Sequence, residues 1–160
     1  MPSHSHEPYF RSVTNPHEPY FTLFEHPLHC HSTGLPVDGK QSIKIGNYVN
    51  AQEGAVIHGS GLVIEDYVTV GHSVVVHGDF IGEGSLLGNN CTFLFRSKLG
   101  KGCLIAANSV VLAGVDIPDN SFVTGIPGEI KRQVSDTQTE TMKRTALSLV
   151  EHAKLFKESG

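Results

Sequence analysis

His58, His72 and His77 are the residues of this 160-residue chain best placed to do chemistry, because all three stand at fixed phases of a six-residue repeat. Neutral imidazole is the usual protein ligand of Zn2+, and three protein ligands with a fourth position open mark a catalytic rather than a structural site. A lone histidine at the turn of a repeat is ordinarily a solvated corner residue. Three in one register favour a metal site over three unrelated corners.

The repeat that must position them begins at Ile45. Apolar residues recur at Ile45, Ala51, Ile57, Ile64, Val70, Val76, Ile81, Leu87, Phe93, Leu99, Ile105, Val111, Ile117 and Val123. The steps are six residues, except for seven from Ile57 to Ile64 and five from Val76 to Ile81, and each irregular step begins just before a histidine. One hexad cannot bury its own apolar residue. Three hexads closing a triangular coil, stacked on further coils, bury a continuous column of Ile, Val and Leu. The pattern predicts an all-β solenoid, a parallel β-helix of hexapeptide repeats over residues 41–134. Its strands of two or three residues are expected to begin at the apolar residue and to alternate with turns rich in Gly, Asn and Asp. The fifth position calls for a small side chain, supplied by Val49, Ala55, Ser85, Cys91, Ser97, Cys103, Ser109 and Ser121. Cys91 and Cys103 lie two hexads apart and so on different faces, which argues against a disulfide between them and for small packing residues.

Counting rungs places the histidines. His58 and His77 are second residues of hexads that start three steps apart, so they share a face one coil apart. Stacked strands are about 4.8 Å apart, close enough for two imidazoles to share an ion. His72 is the third residue of the preceding rung and points away on the previous face. It completes a site only from a neighbouring chain, which predicts a symmetric trimer with metal shared between subunits.

The flanks read differently. Residues 1–40 are irregular and contain a duplicated pentapeptide, His6-Glu7-Pro8-Tyr9-Phe10 and His17-Glu18-Pro19-Tyr20-Phe21. They are expected to cap the open end of the stack, whose strand edge would otherwise be unpaired. His26, His29, Cys30 and His31 form a second cluster, either a solvated loop or a metal or proton-shuttle site. Residues 118–134 close the solenoid. Ser135 and Gln138 form a capping box that opens a helix over residues 135–160. Met142, Ala146, Leu149, Val150 and Ala153 recur on it at helical spacing, for packing on the solenoid or on a neighbouring subunit.

The length suits one domain. A net charge of −4 without a basic cluster argues against a nucleic-acid surface. No apolar run reaches the roughly 20 residues of a membrane span. The first residues lack the basic and then apolar pattern of a secretion signal. A soluble, cytoplasmic protein is expected.

Two phrases carry a resemblance: Asn50-Ala51-Gln52-Glu53-Gly54-Ala55-Val56-Ile57-His58 and Val68-Thr69-Val70-Gly71-His72-Ser73-Val74-Val75-Val76-His77-Gly78. With the closing Gly125-Ile126-Pro127 and its helix, they make residues 41–155 resemble the γ-class carbonic anhydrases and their hexapeptide-repeat relatives. The resemblance implies left-handed coiling, against the usual right-handed crossover preference. It implies Zn2+, or Fe2+ in some members, on His58, His72 and His77 at a trimer interface. Gln52 matches the family's glutamine that hydrogen-bonds the bound hydroxide or bicarbonate. The implied reaction is reversible hydration of CO2 to bicarbonate, because the ion makes hydroxide available near neutral pH, a property familiar from carbonic anhydrases of another fold. The chain departs from the family in two places. Where relatives carry an Arg-Gly-Asp-like segment, whose arginine pairs with the acid matched by Glu53, it has Leu28-His29-Cys30-His31-Ser32-Thr33-Gly34. Leu149 stands where many relatives have a tyrosine. Alternatives on the same repeat are an acyltransferase with His72 or His77 as general base, a small-thioester hydrolase, and a non-catalytic assembly module that retains the metal site.

Overall fold

In a computed structural model, the described residues are the strand Leu23–Phe24, residues 43–59 and residues 61–159, the last with side chains up to residue 148. The duplicated pentapeptide and the His26–His31 cluster lie outside them.

The chain winds as a parallel β-solenoid of hexapeptide rungs. Strand β1 (Leu23–Phe24) precedes the first coil of β2 (Lys44–Ile45), β3 (Asn50–Ala51) and β4 (Val56–Ile57). The second coil is β5 (Val63–Ile64), β6 (Thr69–Val70) and β7 (Val75–Val76). The third is β8 (Phe80–Ile81), β9 (Leu86–Leu87) and β10 (Thr92–Phe93), and the fourth β11 (Lys98–Leu99), β12 (Leu104–Ile105) and β13 (Val110–Val111). A partial coil, β14 (Asp116–Ile117) and β15 (Ser121–Thr124), is followed by β16 (Glu129–Gln133) and the helix α1 (Asp136–Ser159). Like strands stack into three flat faces: β2-β5-β8-β11-β14 (face I), β1-β3-β6-β9-β12-β15-β16 (face II) and β4-β7-β10-β13 (face III).

The apolar column forms as the repeat requires. From Ile57 to Leu99 the apolar residue that opens each hexad is essentially fully buried, and Ile45 packs at the open end of the column. Each such side chain contributes about 1.5–3 kcal/mol relative to exposure, so no rung is stable without its neighbours. The small fifth-position residues Val49, Ala55, Ser85, Cys91, Ser97, Cys103, Ser109 and Ser121 are buried as well. Cys91 and Cys103 are both free thiols.

Three details differ from the sequence reading. Each two-residue strand ends on the core residue instead of beginning on it, as in Val56–Ile57 and Val75–Val76. The residue before the core residue is extended and faces outward, while the residues after it already turn the corner. The corners themselves follow a rule: the fourth hexad residue is left-handed, with positive φ at Tyr48, Gly54, Tyr67, Ser73, Gly84, Asn90, Arg96, Gly102, Asn108, Gly114 and Asn120. Finally, the irregular N-terminal stretch supplies β1, which pairs in parallel with β3, and the closing segment is an antiparallel hairpin of β15 and β16.

The capping box is formed. The Gln138 N–H donates to Ser135 Oγ at 3.3 Å and the Ser135 N–H donates to Gln138 Oε1 at 3.2 Å. Met142 and Ala146 are buried, while Leu147 is exposed. No helix among the described residues is long and apolar enough to cross a membrane. Ser135→Ala is expected to cost about 1 kcal/mol, the usual worth of such a cap, read as a lower midpoint in chemical denaturation. An unchanged midpoint would mean that the helix does not add to global stability.

Candidate metal centre

Two corners flank face III, and the candidate residues divide between them. His58 and His77 follow β4 and β7 at the corner that leads to face I. Their strands pair with Ile57 opposite Val76, which brings the two rings to 4.6 Å between centroids, edge to face at 73°. The backbone pins both: the His58 N–H donates to the Val76 carbonyl at 2.8 Å, and the His77 N–H to the Phe93 carbonyl at 2.7 Å. Both side chains are half-buried, and the Phe95 ring lies 5.7 Å beyond His77.

The irregular steps of the repeat make this corner. Among the described residues, the shortened step after Val76 is the interior corner that turns without a left-handed residue. It passes so close to the core that a Cβ on Gly78 would stand 2.4 Å from the Phe93 ring and 2.9 Å from the Ser97 carbonyl oxygen. Only glycine fits there, and the contact sets the height of His77.

His72 occupies the other corner, between faces II and III, together with Gln52 and Glu53. Its Nδ1 lies 2.7 Å from Glu53 Oε2, and its N–H donates to Asn89 Oδ1 at 3.1 Å. Gln52 is anchored by its N–H to the Val70 carbonyl at 2.9 Å. His72 and His77 stand at the two opposite corners of face III, with the strand Val75–Val76 between them, so they do not converge on one ion within a single chain. Among the described residues, no three His, Cys, Asp or Glu side chains of a single chain converge as a metal set.

The donor set suits a borderline metal such as zinc. Two imidazoles one rung apart stand close enough to bind one ion, and a third histidine stands on the far edge of the same face. The buried cysteines are not competitors: burial pushes the Cys91 thiol up to about 12, and Cys103 is raised for the same reason.

Two functional features escaped the sequence reading. Glu53, matched in the sequence to an acid that pairs with arginine, contacts His72. The signal was present, since both are third residues of rungs one coil apart. Asn50 is buried, and among the described residues neither its amide oxygen nor its amide nitrogen has a partner. It precedes Ala51, which points into the core, so it faces outward two residues before Gln52 on the same side of the strand. An orphaned amide of this kind costs stability unless a further polar group meets it.

No family model matches the chain. It is 40% identical over 111 residues to the probable carbonic anhydrase of Methanocaldococcus jannaschii, covering 68% of this chain and 70% of that protein. It is 35% identical over 116 residues to the carbonic anhydrase of Geobacillus kaustophilus, covering 71% of this chain and 64%, less than two thirds, of the relative. Among solved structures, a hexapeptide transferase family protein from Anaplasma phagocytophilum superimposes with a TM-score of 0.58 at 20% identity, over 78% of this chain and 90% of that one. At that identity the likeness concerns the fold, a left-handed β-helix that transferases share. Taken with the rungs that carry its histidines, the likeness to the two anhydrases shows that the chain belongs to the γ-class carbonic anhydrase-like family of hexapeptide-repeat proteins.

Proposed function

We propose that the protein is a cytoplasmic zinc-dependent lyase that interconverts CO2 and bicarbonate at sites shared between the subunits of a homotrimer. The observation that carries this reading is the pairing of His58 with His77 at 4.6 Å on one edge of face III, with His72 on the opposite edge. Three copies around an axis parallel to the solenoid set one edge of each face against the other edge of the next. His58 and His77 of one subunit then meet His72 of its neighbour, and the ring closes with three equivalent sites. Val56 and Val75, two of the four outward residues of face III, are exposed in the single chain, as are Phe95 and Leu112. An apolar face bordered by the two half-sites is suited to burial between subunits.

Zinc, or Fe2+ in its place, supplies Lewis acidity that makes hydroxide available from water at neutral pH. The chain's own residues do the rest. His58, His72 and His77 hold the ion and leave a position open. Gln52 and the orphaned amide of Asn50 offer donors and acceptors on the outward side of β3 to orient the oxygen nucleophile and bicarbonate.

The acyltransferase alternative shares the fold, but the late coils speak against it. From Leu99 through Ile105 and Val111 to Ile117 the rungs follow at even six-residue steps, with no inserted loop to wall an acyl-CoA groove. Metal analysis of the purified protein, its native mass and stopped-flow CO2 hydration test the proposal together. The expected result is about one zinc per subunit in a trimer that hydrates CO2. A trimer loaded with metal but inert to CO2 would support the assembly-module alternative instead, and a metal-free protein would remove the site.

A further inference from the structure

The geometry points to Glu53 as the positioning residue of His72, fixing which ring nitrogen is presented to the metal. This inference rests on the proposed reading of the three histidines. The Glu53 carboxylate lies 2.7 Å from His72 Nδ1. A carboxylate can only accept, so the neutral imidazole keeps its proton on Nδ1 and carries its lone pair on Nε2, directed away from Glu53. A ligating histidine that donates its other N–H to a carboxylate is oriented and made more basic by that bond.

The surroundings leave the role to Glu53. Third-position residues stack at this corner in the order Glu53, His72, Asn89. Asn89 sits on the other side of the histidine, and its Oδ1 already accepts the His72 backbone N–H at 3.1 Å. The backbone fixes the three rungs in register. The Ser73 N–H donates to the Glu53 carbonyl at 3.0 Å, and the Asn90 N–H to the His72 carbonyl at 2.8 Å. Both side chains of the pair are about half exposed. A pair so exposed adds little to the stability of the chain, because water screens it and two side chains must be ordered. Its consequence is orientation.

The test is the zinc affinity of the trimer, measured by competition with a chromophoric chelator for the wild type, Glu53→Ala and Glu53→Gln. The absorption spectrum of the Co2+-substituted protein serves as a second readout. Alanine removes the acceptor and is expected to weaken zinc binding by about 10–100-fold, with the melting of the metal-free protein unchanged. Glutamine keeps an oxygen that can accept from Nδ1–H, so it should retain most of the affinity and a wild-type-like cobalt spectrum. Wild-type affinity in Glu53→Ala would overturn the inference and leave the histidine site standing. A loss in Glu53→Gln as large as in Glu53→Ala would overturn it too, since charge and not the hydrogen bond would then be responsible. A wild-type protein that takes up no zinc at all would remove the site itself, and this inference with it.

Discussion

His72→Ala is expected to strip the metal from the protein without unfolding it. The residue sits exposed at a corner, and its backbone bonds to Asn89 and Asn90 do not involve the imidazole. What disappears is one of the three proposed ligands. Loss of an outer partner costs about 10–100-fold in metal affinity, so loss of a ligand should exceed about 100-fold, with CO2 hydration falling in parallel. Metal content and stopped-flow rates of the variant trimer check this. A sharper form uses two variants that are each inactive. A His72→Ala chain keeps His58 and His77, and a His58→Ala/His77→Ala chain keeps His72. When the two are assembled together, every mixed trimer regains one interface with a full ligand set. Activity in the mixture but in neither parent is the signature of a site shared across subunits. Full metal content in His72→Ala alone would sink that arrangement.

The largest effect on stability should come from Phe93→Ala. Phe93 is the biggest of the fully buried side chains and lies under the histidine corner, against Gly78. Truncating a buried phenylalanine costs about 3–5 kcal/mol, because the lost contacts are followed by a cavity that the surroundings only partly fill. For a chain of this length each kcal/mol lowers Tm by about 2–4 °C, giving a drop of roughly 6–20 °C by calorimetry. The cavity would open beneath the strand whose carbonyl accepts the His77 N–H. Zinc affinity should therefore fall along with Tm. A loss below about 1 kcal/mol would mean that the rungs relax freely around the site, contrary to the close packing of protein interiors.

Much of the solenoid was legible because its period is a direct consequence of burial. One side chain in six must enter a narrow prism, and the one at the fifth position must be small enough to let the corner close, so both leave a mark on residue type. The same counting puts His58 beside His77, since three rungs make one turn. The phase of the strands was misread because period alone does not say on which side of the core residue the backbone is extended. The left-handed fourth position could have supplied that phase: Asn and Gly recur there, but Tyr48, Tyr67, Ser73 and Arg96 blur the signal. Strands β1 and β16 carry no six-residue mark and escaped for that reason.

The sequence by itself determined the fold and the division of the histidines between two edges of one face, because repetition turns distance along the chain into position in space. Only the tertiary structure decided what each of those residues touches. His58 meets His77 edge to face, Glu53 meets His72 Nδ1, and Gly78 yields to Phe93. A period fixes where a residue stands in the coil. The direction of its side chain depends on corner geometry and on neighbours some 17 to 19 residues away, which no local pattern encodes.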